Sequence, residues 1–392
     1  MNHTALRLIV LVLITIAPRA AAQAAPGGLA DQASPGAVRL PGYFYKRLTG
    51  EIDPGRPIVM NLMREGKVVR GDYYFLRAGT PISFTADSGI AGDGTFTLQG
   101  RTTGVDAVDD QSGGGSFKGR FTSDHAASGT WTSPDGATSS PFTLTESYPA
   151  GSARFEVTRA ARDWVAERGE ASIEVLYPVM RSAEHPSTAA RINAQLFSTL
   201  LGGYDFRARL PAAPTVGALL DDFISRFLDE AHSADLPEGY APMWEDLLEA
   251  SVSFNGGGIL GIKNTIFTFE GGAHPTTTYL LANYDVATGA PIELSYILKA
   301  GYKEKLDALG EAALRKKYNV PADESLSQAH FFVKEGAFEL PDNFLVTAGG
   351  LEFQFNQYEI APYFFGSPLL FIAYSELRDL IRPNGPLAQF AR

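Results

Sequence analysis

One histidine in the chain has a sequence context that could support acid–base chemistry. His274 follows Gly271-Gly272-Ala273 and precedes Pro275, so it lies where the backbone is forced to turn. With a carboxylate such as Glu270 or Glu359 it could act as the general base of a hydrolase, or it could contact a ligand. The alternative is structural, with one ring N–H donated to a carbonyl that fixes the turn.

No complete catalytic or metal-binding set accompanies this histidine in the sequence. There is no neighbouring Asp–Ser or Cys arrangement for nucleophilic catalysis. The six histidines are scattered, without the H-x-x-x-H or H-E-x-x-H spacing of a zinc site. The sequence therefore predicts no catalytic residue, no metal and no cofactor, and an enzyme is the less favoured interpretation.

A second candidate segment, residues 358–368, is rich in aromatic side chains. Pro and Gly residues bound it, which predicts a loop. Its candidate binding residues are Tyr358, Glu359, Tyr363, Phe364 and Phe365. Aromatic residues on loops are enriched in protein and sugar recognition. The alternative is that these rings fold back to cover a sheet, and that Glu359 only accepts a hydrogen bond from a loop amide.

The elements that would position these residues begin after an N-terminus that predicts export. Arg7 precedes an apolar run, residues 8–17, that is too short to span a bilayer as a helix. Small residues follow, with A-x-A cleavage sites ending at Ala22 or Ala24. We expect residues 1–24 to be a signal peptide and the mature chain to be periplasmic or secreted; the alternative is an uncleaved anchor. No transmembrane segment is expected in the mature chain.

The charge balance restricts the class of partner. The chain has 44 Asp and Glu against 33 Lys and Arg, a formal net charge of −11. Nucleic acid is not expected as a partner, because phosphate binding needs clusters of Lys and Arg. A basic protein could be attracted instead, although acidic surfaces also serve ordinary solubility. The chain has no Cys, so neither disulfides nor a lipid-modified cysteine can contribute.

Two domains are predicted after a flexible lead-in over residues 25–39. Residues 40–149 alternate aromatic and polar residues in short runs between turns such as Asp93-Gly94 and Asp135-Gly136, which predicts an all-β antiparallel meander that is strongly curved or barrel-like. Residues 150–392 mix strands and helices, which predicts an α+β domain with an antiparallel sheet. We expect its first strand, around Ile173, to end at Pro178.

The helices of the second domain are predicted from apolar periodicity. Leu219, Phe223 and Phe227 recur at four-residue spacing, so they form the buried side of one amphipathic helix, and we expect Arg226 to lie on its solvent side. Lys303–Tyr318 predicts another helix, and the Gly-Gly pair between residues 344–346 and 351–355 predicts a hairpin turn.

Residues 270–298 and 353–377 carry a family resemblance. The first reads Gly-Gly-Ala-His-Pro, then Asn-Tyr-Asp and Thr-Gly; the second reads Tyr-Glu-Ile-Ala-Pro-Tyr and then Tyr-Ser-Glu-Leu. Residues 256–392 thereby resemble DUF3298, a bacterial envelope domain of unknown function, and residues 153–255 resemble its companion, DUF4163. Domains of this type occur in a lysozyme-sensing anti-sigma factor and beside peptidoglycan deacetylase modules. The membrane span of the anti-sigma factor and the metal-binding motifs of the deacetylase module are absent from this sequence. The resemblance therefore implies neither sigma-factor control nor deacetylation.

Three functional hypotheses are consistent with the sequence. The preferred one, which the resemblance implies, is an exported binding module that contacts a basic lysozyme-like protein or peptidoglycan glycan. The second is a cell-wall glycan hydrolase or esterase that uses His274 with a nearby carboxylate. The third is a β domain that carries a small hydrophobic ligand. The alternative to this third hypothesis is a barrel whose interior is filled by its own Phe and Tyr side chains.

Overall fold

The chain folds into a β-barrel, a five-stranded sheet with helices, and a three-stranded sheet. The computed structural model describes residues 38, 40–86, 88–102, 114–204, 210, 214–333 and 337–390. The expected signal peptide and most of the expected lead-in lie outside the described residues. The predicted fold class, an N-terminal antiparallel β domain followed by α+β structure, is confirmed.

Eight antiparallel strands close on themselves to form the barrel. They are β1 (Tyr43–Ile52), β2 (Pro57–Glu65), β3 (Val68–Phe75), β4 (Ile82–Ala86), β5 (Thr95–Thr102), β6 (Ser116–Ser123), β7 (Ala126–Thr132) and β8 (Ser139–Glu146). β1 pairs with β2 on one side and with β8 on the other, so both of its edges are hydrogen-bonded. Closure removes the unpaired edges that would otherwise invite aggregation.

Aromatic rings fill the interior of the barrel. Tyr73, Phe117, Phe121 and Phe142 are fully buried. The Phe117 ring lies 4.9 Å from that of Tyr73 and 5.2 Å from that of Phe142, both edge to face. These rings occupy the space that a carried ligand would need. The carrier hypothesis stays a prediction that would require an interior ring to move.

The second sheet has five strands in the order β13-β12-β11-β10-β9. They are β9 (Arg154–Val165), β10 (Glu170–Arg181), β11 (Met243–Gly256), β12 (Ile259–Glu270) and β13 (Thr276–Asp285). Helices α1 (Pro186–Gly202) and α2 (Val216–Ala231) pack on one face, where α2 buries the predicted stripe of Leu219, Phe223 and Phe227. The barrel contacts the opposite face, and Asn61 of β2 donates to the Ser253 carbonyl of β11 at 3.0 Å.

The five-stranded sheet is mixed, whereas the sequence predicted it as antiparallel. β10 and β11 run parallel, because α1 and α2 form the crossover between them. The strand predicted to end at Pro178 in fact continues to Arg181. Pairing of β10 with β11 ends at Leu176, so the missing N–H of Pro178 costs no hydrogen bond to β11. On the other side, Pro178 still lies opposite Val157 of β9, and the strand continues.

The C-terminal part adds short helices and a small antiparallel sheet around its own core. Its elements are α3 (Leu294–Ile297), α4 (Lys303–Tyr318), β14 (Phe344–Val346), β15 (Gly350–Gln354), a 3-10 helix (Tyr363–Phe365), β16 (Leu369–Ala373), α5 (Tyr374–Leu377) and a second 3-10 helix (Pro386–Gln389). The predicted helix and hairpin are both present. Within the described residues, no helix is long and apolar enough to cross a membrane.

Amide side chains cover the outer edge of β13. The Leu281 N–H donates to Asn343 Oδ1 at 2.7 Å, and Asn343 Nδ2 donates to the Tyr279 carbonyl at 2.9 Å, so one side chain bonds the edge as a neighbouring strand would. Asn356 and Gln357 accept from the N–H groups of Tyr279 and Thr277 at 2.7 and 3.2 Å. The segment that follows Gln357 is thereby fixed against the start of β13.

Candidate functional site

The segment around His274 is the loop that joins β12 to β13. Gly271 and Gly272 have φ values of 86° and 99°, which are accessible to glycine but strained for other residues. These two residues turn the chain sharply away from the end of β12. His274 follows them, and its side chain is exposed to solvent.

An ion pair anchors the point where this loop leaves the sheet. Arg226 Nη1 donates to both carboxylate oxygens of Glu270, the last residue of β12, at 2.8 Å. Arg226 was predicted on the solvent side of α2, and this is wrong, because only 10% of its side chain is exposed. Its guanidinium lies over the rings of Trp244 and Phe223 at 5.5 and 5.9 Å, in a layer between the helix and the sheet.

The second candidate segment contains a strained and exposed aromatic residue. Tyr358 has a φ of 63°, and 54% of it is exposed. A left-handed backbone is unusual for a bulky side chain, and such outliers cluster at ligand contacts and other functional sites. The neighbouring Glu359 carboxylate accepts from the Asn356 N–H at 2.8 Å, so it serves the turn that holds Tyr358 in place.

The 3-10 helix of this segment divides its aromatic side chains between core and surface. Phe365 packs inward, with its ring 5.1 Å from that of Phe331 and 5.5 Å from that of Tyr318. Phe364 points outward and is 76% exposed. Of the two predicted roles, covering the protein interior fits Phe365, which is partly buried against the C-terminal core, and ligand recognition stays a prediction for the exposed rings.

The two candidate segments meet, although more than 80 residues separate them in sequence. The His274 ring stacks on Tyr363, with centroids 4.0 Å apart and planes 26° apart, and Tyr358 lies beside both rings, 5.8 Å from Tyr363 and 6.5 Å from His274. Tyr363 also donates its hydroxyl to the Pro275 carbonyl at 3.3 Å. We call His274, Tyr358 and Tyr363 the aromatic patch.

Hydrogen bonds fix the orientation of the His274 ring. Nδ1 lies 3.2 Å from the Pro275 carbonyl, which can only accept, so Nδ1 carries a proton. Nε2 lies 3.3 Å from the Tyr358 hydroxyl, which donates to it when the ring is neutral. These bonds realise the predicted donation from the ring to a carbonyl, and they also connect the ring to Tyr358.

The carboxylates considered as catalytic partners of His274 have other contacts. Glu270 is held by Arg226, and Glu359 accepts from the backbone of Asn356. The His274 ring is hydrogen-bonded to the Pro275 carbonyl and to the Tyr358 hydroxyl. Among the described residues, no group of three or more His, Asp or Glu side chains could hold a metal ion. The arrangement therefore offers aromatic surface and hydrogen-bonding groups more readily than acid–base chemistry.

The aromatic patch is open to solvent at His274 and Tyr358. One shallow hollow, of about 370 Å³, lies between β10 and α1 and is lined by Tyr177, Asn193 and Phe197 among others. A second, of about 20 Å³, lies where the barrel meets the two sheets. Neither includes a residue of the patch. Small molecules are usually enclosed in concave sites, so an open platform suits a polymer or a protein better.

A buried carboxyl group beneath the site was missed by sequence reasoning. Asp246 is 2% exposed and, among the described residues, its Oδ2 has no hydrogen-bond partner, while Oδ1 accepts from the Phe269 N–H at 3.3 Å. Burial, and after it the neighbouring Glu270 carboxylate, raises the pKa of Asp246 from 3.8 to about 8. The available signal was its position between Trp244 and Leu248, which marks the buried face of the strand.

Comparison with known proteins gives one family match. The model of a protein family of unknown function, DUF3298, matches residues 295–375. The matched segment contains Tyr358, Tyr363 and the 3-10 helix but begins after His274. The predicted DUF3298 character is thus supported for this segment, and the DUF4163 resemblance stays a prediction. No curated protein matches the chain.

Solved structures similar to this chain include two DUF3298 proteins. A DUF3298 family member from Bacteroides fragilis is 16% identical, with a TM-score of 0.50, and the match covers 62% of this chain and 98% of that one. A DUF3298 family protein from Pseudomonas aeruginosa is 21% identical with a TM-score of 0.44, covering 60% and 98%. At this identity the Bacteroides likeness shows the fold alone. The chain therefore contains a segment that matches DUF3298 and shares its fold with a member of that family.

Proposed function

We propose that this protein is an exported, non-enzymatic binding module of the cell envelope, and that its aromatic patch binds wall glycan. The observation that carries the proposal is Tyr358, an exposed aromatic side chain held on a left-handed backbone beside His274 and Tyr363. The signal-like N-terminus, which would direct the mature chain to the periplasm or the medium, supports the location. The DUF3298 match, with residues 153–255 as a DUF4163-like companion, supports the same assignment.

The geometry of the patch suits a sugar ring. The planes of the three rings lie within 35° of one another, so a sugar stacked on the exposed Tyr358 ring lies roughly parallel to the other two rings. A pyranose has an apolar face of C–H groups and a rim of hydroxyls. Stacking buries the apolar face against an aromatic ring, and the Tyr358 hydroxyl, which donates to His274, can still accept a hydrogen bond from the rim.

A binding measurement with matched tyrosine variants tests this proposal. The mature protein is titrated by calorimetry with soluble, uncrosslinked glycan strands from peptidoglycan. Tyr358→Ala should weaken binding at least tenfold, because it removes an aromatic ring that is 54% exposed. Tyr296→Ala is the control, since Tyr296 of α3 is 55% exposed but lies outside the patch. Equal affinity in the two variants would contradict the proposal, and release of reducing ends would favour the hydrolase hypothesis instead.

A basic lysozyme-like protein is a second candidate partner, and a separate surface favours it. Strand register places Asp163, Glu170, Glu174 and Glu245 on one face of the five-stranded sheet, where Arg159 pairs with Glu174. Met243, in the same row as Glu170, is 54% exposed, so the barrel leaves this end of the face open. An acidic surface with apolar residues beside it is complementary to a basic protein.

Salt dependence and surface variants separate this second candidate from the first. A basic lysozyme should bind the mature protein at low salt and dissociate at high salt. The double variant Asp163→Asn, Glu245→Gln should weaken this binding, whereas Tyr358→Ala should leave it unchanged. Failure to bind any of several lysozymes at low salt would remove this partner.

A further inference from the structure

The barrel contacts the five-stranded sheet along a surface that we call the joint. At one end of the joint, the hydrogen bonds do not depend on a group that titrates near neutral pH. Arg47 of β1 donates to the Asn255 carbonyl at 2.7 Å, and Asn255 Nδ2 donates to the Tyr45 hydroxyl at 3.1 Å. Tyr45 in turn donates to Asn61 at 2.8 Å. Burial raises the pKa of Tyr45 well above 10. These bonds therefore persist from acidic to moderately alkaline pH.

The other end of the joint consists of two buried carboxyl groups and a guanidinium that is 30% exposed. Arg70 of β3 donates to Glu65 of β2 at 2.9 Å and to Glu249 of β11, so it joins the barrel to the sheet. Each of the two carboxylate side chains is only 3% exposed. Glu65 Oε1 is buried and has no hydrogen-bond partner among the described residues. We call Glu65, Arg70 and Glu249 the joint triad.

The charges of the joint triad do not balance when both carboxyl groups are ionised. One guanidinium then faces two buried carboxylates, which leaves a net negative charge out of water. Glu174 of β10 adds negative potential at both, although Arg159 of β9 binds it at 2.8 Å. Lys263 of β12 offsets part of this at Glu249, and Asp72 of β3 also faces Lys263.

Retention of one proton resolves this imbalance. Burial, followed by the Glu249 carboxylate, raises the pKa of Glu65 from 4.5 to about 8, and burial also raises the pKa of Glu249. With one carboxyl group protonated, one carboxylate faces the Arg70 guanidinium and the charges balance.

We propose that the joint triad is a proton-dependent latch between barrel and sheet. With one proton the triad is neutral overall and holds the β2–β3 end of the barrel on β11. Loss of that proton leaves two carboxylates that repel each other across the joint. This end then loosens, while the bonds around Asn255 keep the barrel attached. The device is independent of the glycan proposal, because it uses no residue of the aromatic patch.

The sign of the pH effect follows from linkage. A carboxyl group whose pKa is raised on folding binds a proton more tightly in the folded state, so its contribution is fully present below the unfolded pKa of about 4.5 and is lost as pH rises through about 8. Between these values the folding constant falls by up to about tenfold per pH unit from this source.

Variants that remove the need for the proton test the proposal. Folding constants of the mature protein are measured by urea denaturation from pH 5 to 9. Glu65→Gln and Glu249→Gln each leave one carboxylate for Arg70, so each should flatten the profile relative to the unsubstituted chain, while the exposed Glu51→Gln should not. Other titrating groups are common to all chains and cancel in the difference.

Hydrogen exchange locates the effect. Amides of residues 57–75 should exchange faster in the unsubstituted chain than in Glu65→Gln at pH 9, and equally fast at pH 6, with each comparison made at one pH. The proposal is overturned if both Gln variants keep the original pH profile. It is also overturned if the profile flattens but exchange over residues 57–75 does not differ at pH 9.

Discussion

Tyr358 carries a bulky side chain on a backbone conformation that favours glycine. Its φ of 63° costs about 1–2 kcal/mol for a residue with a Cβ atom. Comparison of Tyr358→Gly with Tyr358→Ala isolates that cost, because both remove the ring. We expect the Gly variant to be more stable than the Ala variant by about 1 kcal/mol, after the greater chain entropy of glycine is subtracted. Urea denaturation measures this, and both variants should lose glycan binding. Equal stability would mean that the loop relaxes around residue 358.

Asp246 makes a second residue-scale prediction. Its pKa is raised on folding to about 8, so its contribution to stability is lost as pH rises from about 4 to 8. Asp246→Asn removes the charge and keeps the size, so its stability relative to the unsubstituted chain should increase between pH 5 and pH 9. Denaturation at pH 5, 7 and 9 measures the change, with the exposed Asp124→Asn as the control. A difference that is constant with pH would show that Asp246 is ionised throughout.

Local sequence identified the residues of the aromatic patch but not their supports. His274 and Tyr358 were nominated because Gly, Pro and aromatic residues mark recognition loops. Arg226 was predicted on the solvent side because helical periodicity describes one helix by itself and does not show its contacts with other elements. Its burial depends on Glu270, which is 44 residues away and reaches it only after β11 and β12 have paired.

At the scale of elements, Asn343 makes the clearest prediction. Its side chain bonds Leu281 N–H, the Tyr279 carbonyl and the Gln354 carbonyl at 2.7, 2.9 and 2.9 Å. Asn343→Leu keeps the branched shape of the side chain but leaves these three backbone groups unpaired, and each part-buried loss costs about 1–3 kcal/mol. We expect a total loss of at least about 3 kcal/mol and faster hydrogen exchange along β13. Asn384→Leu, at an exposed turn, is the control. Unchanged exchange in β13 would show that other groups cover its edge.

The mixed sheet shows where element-scale prediction stopped. Alternation and periodicity identified the strands and helices, but strand direction depends on which strands pair. Two helices between β10 and β11 provide a crossover long enough for parallel strands, and this signal was present in the sequence. The amide cover of β13 had no comparable signal, because it joins residues 62–80 positions apart.

At the scale of the whole molecule, barrel closure was predictable and the attachment of the barrel was not. Closely spaced hairpins with one apolar face favour a closed sheet, because closure buries that face and leaves no edge. The attachment depends on individual contacts between distant segments, such as Arg70 with Glu249. Glycines contribute to it as well. Gly79, after β3, lies against Gly349, which was predicted only as part of a hairpin turn.

Gly349 therefore makes a prediction about the whole molecule. A Cβ atom at Gly349 would lie 2.7 Å from the carbonyl carbon of Gly79 and 2.8 Å from the Ala78 oxygen, both backbone atoms of the barrel. Gly349→Ala must push the barrel away from the three-stranded sheet, and we expect a loss of about 1–3 kcal/mol by denaturation. Gly42→Ala is the control, since no atom lies within 4 Å of its added Cβ. Hydrogen exchange should rise at residues 76–81 and 347–351 but not inside the barrel, because the clash lies between the two sheets. Wild-type stability in Gly349→Ala would show that the barrel shifts freely at this contact.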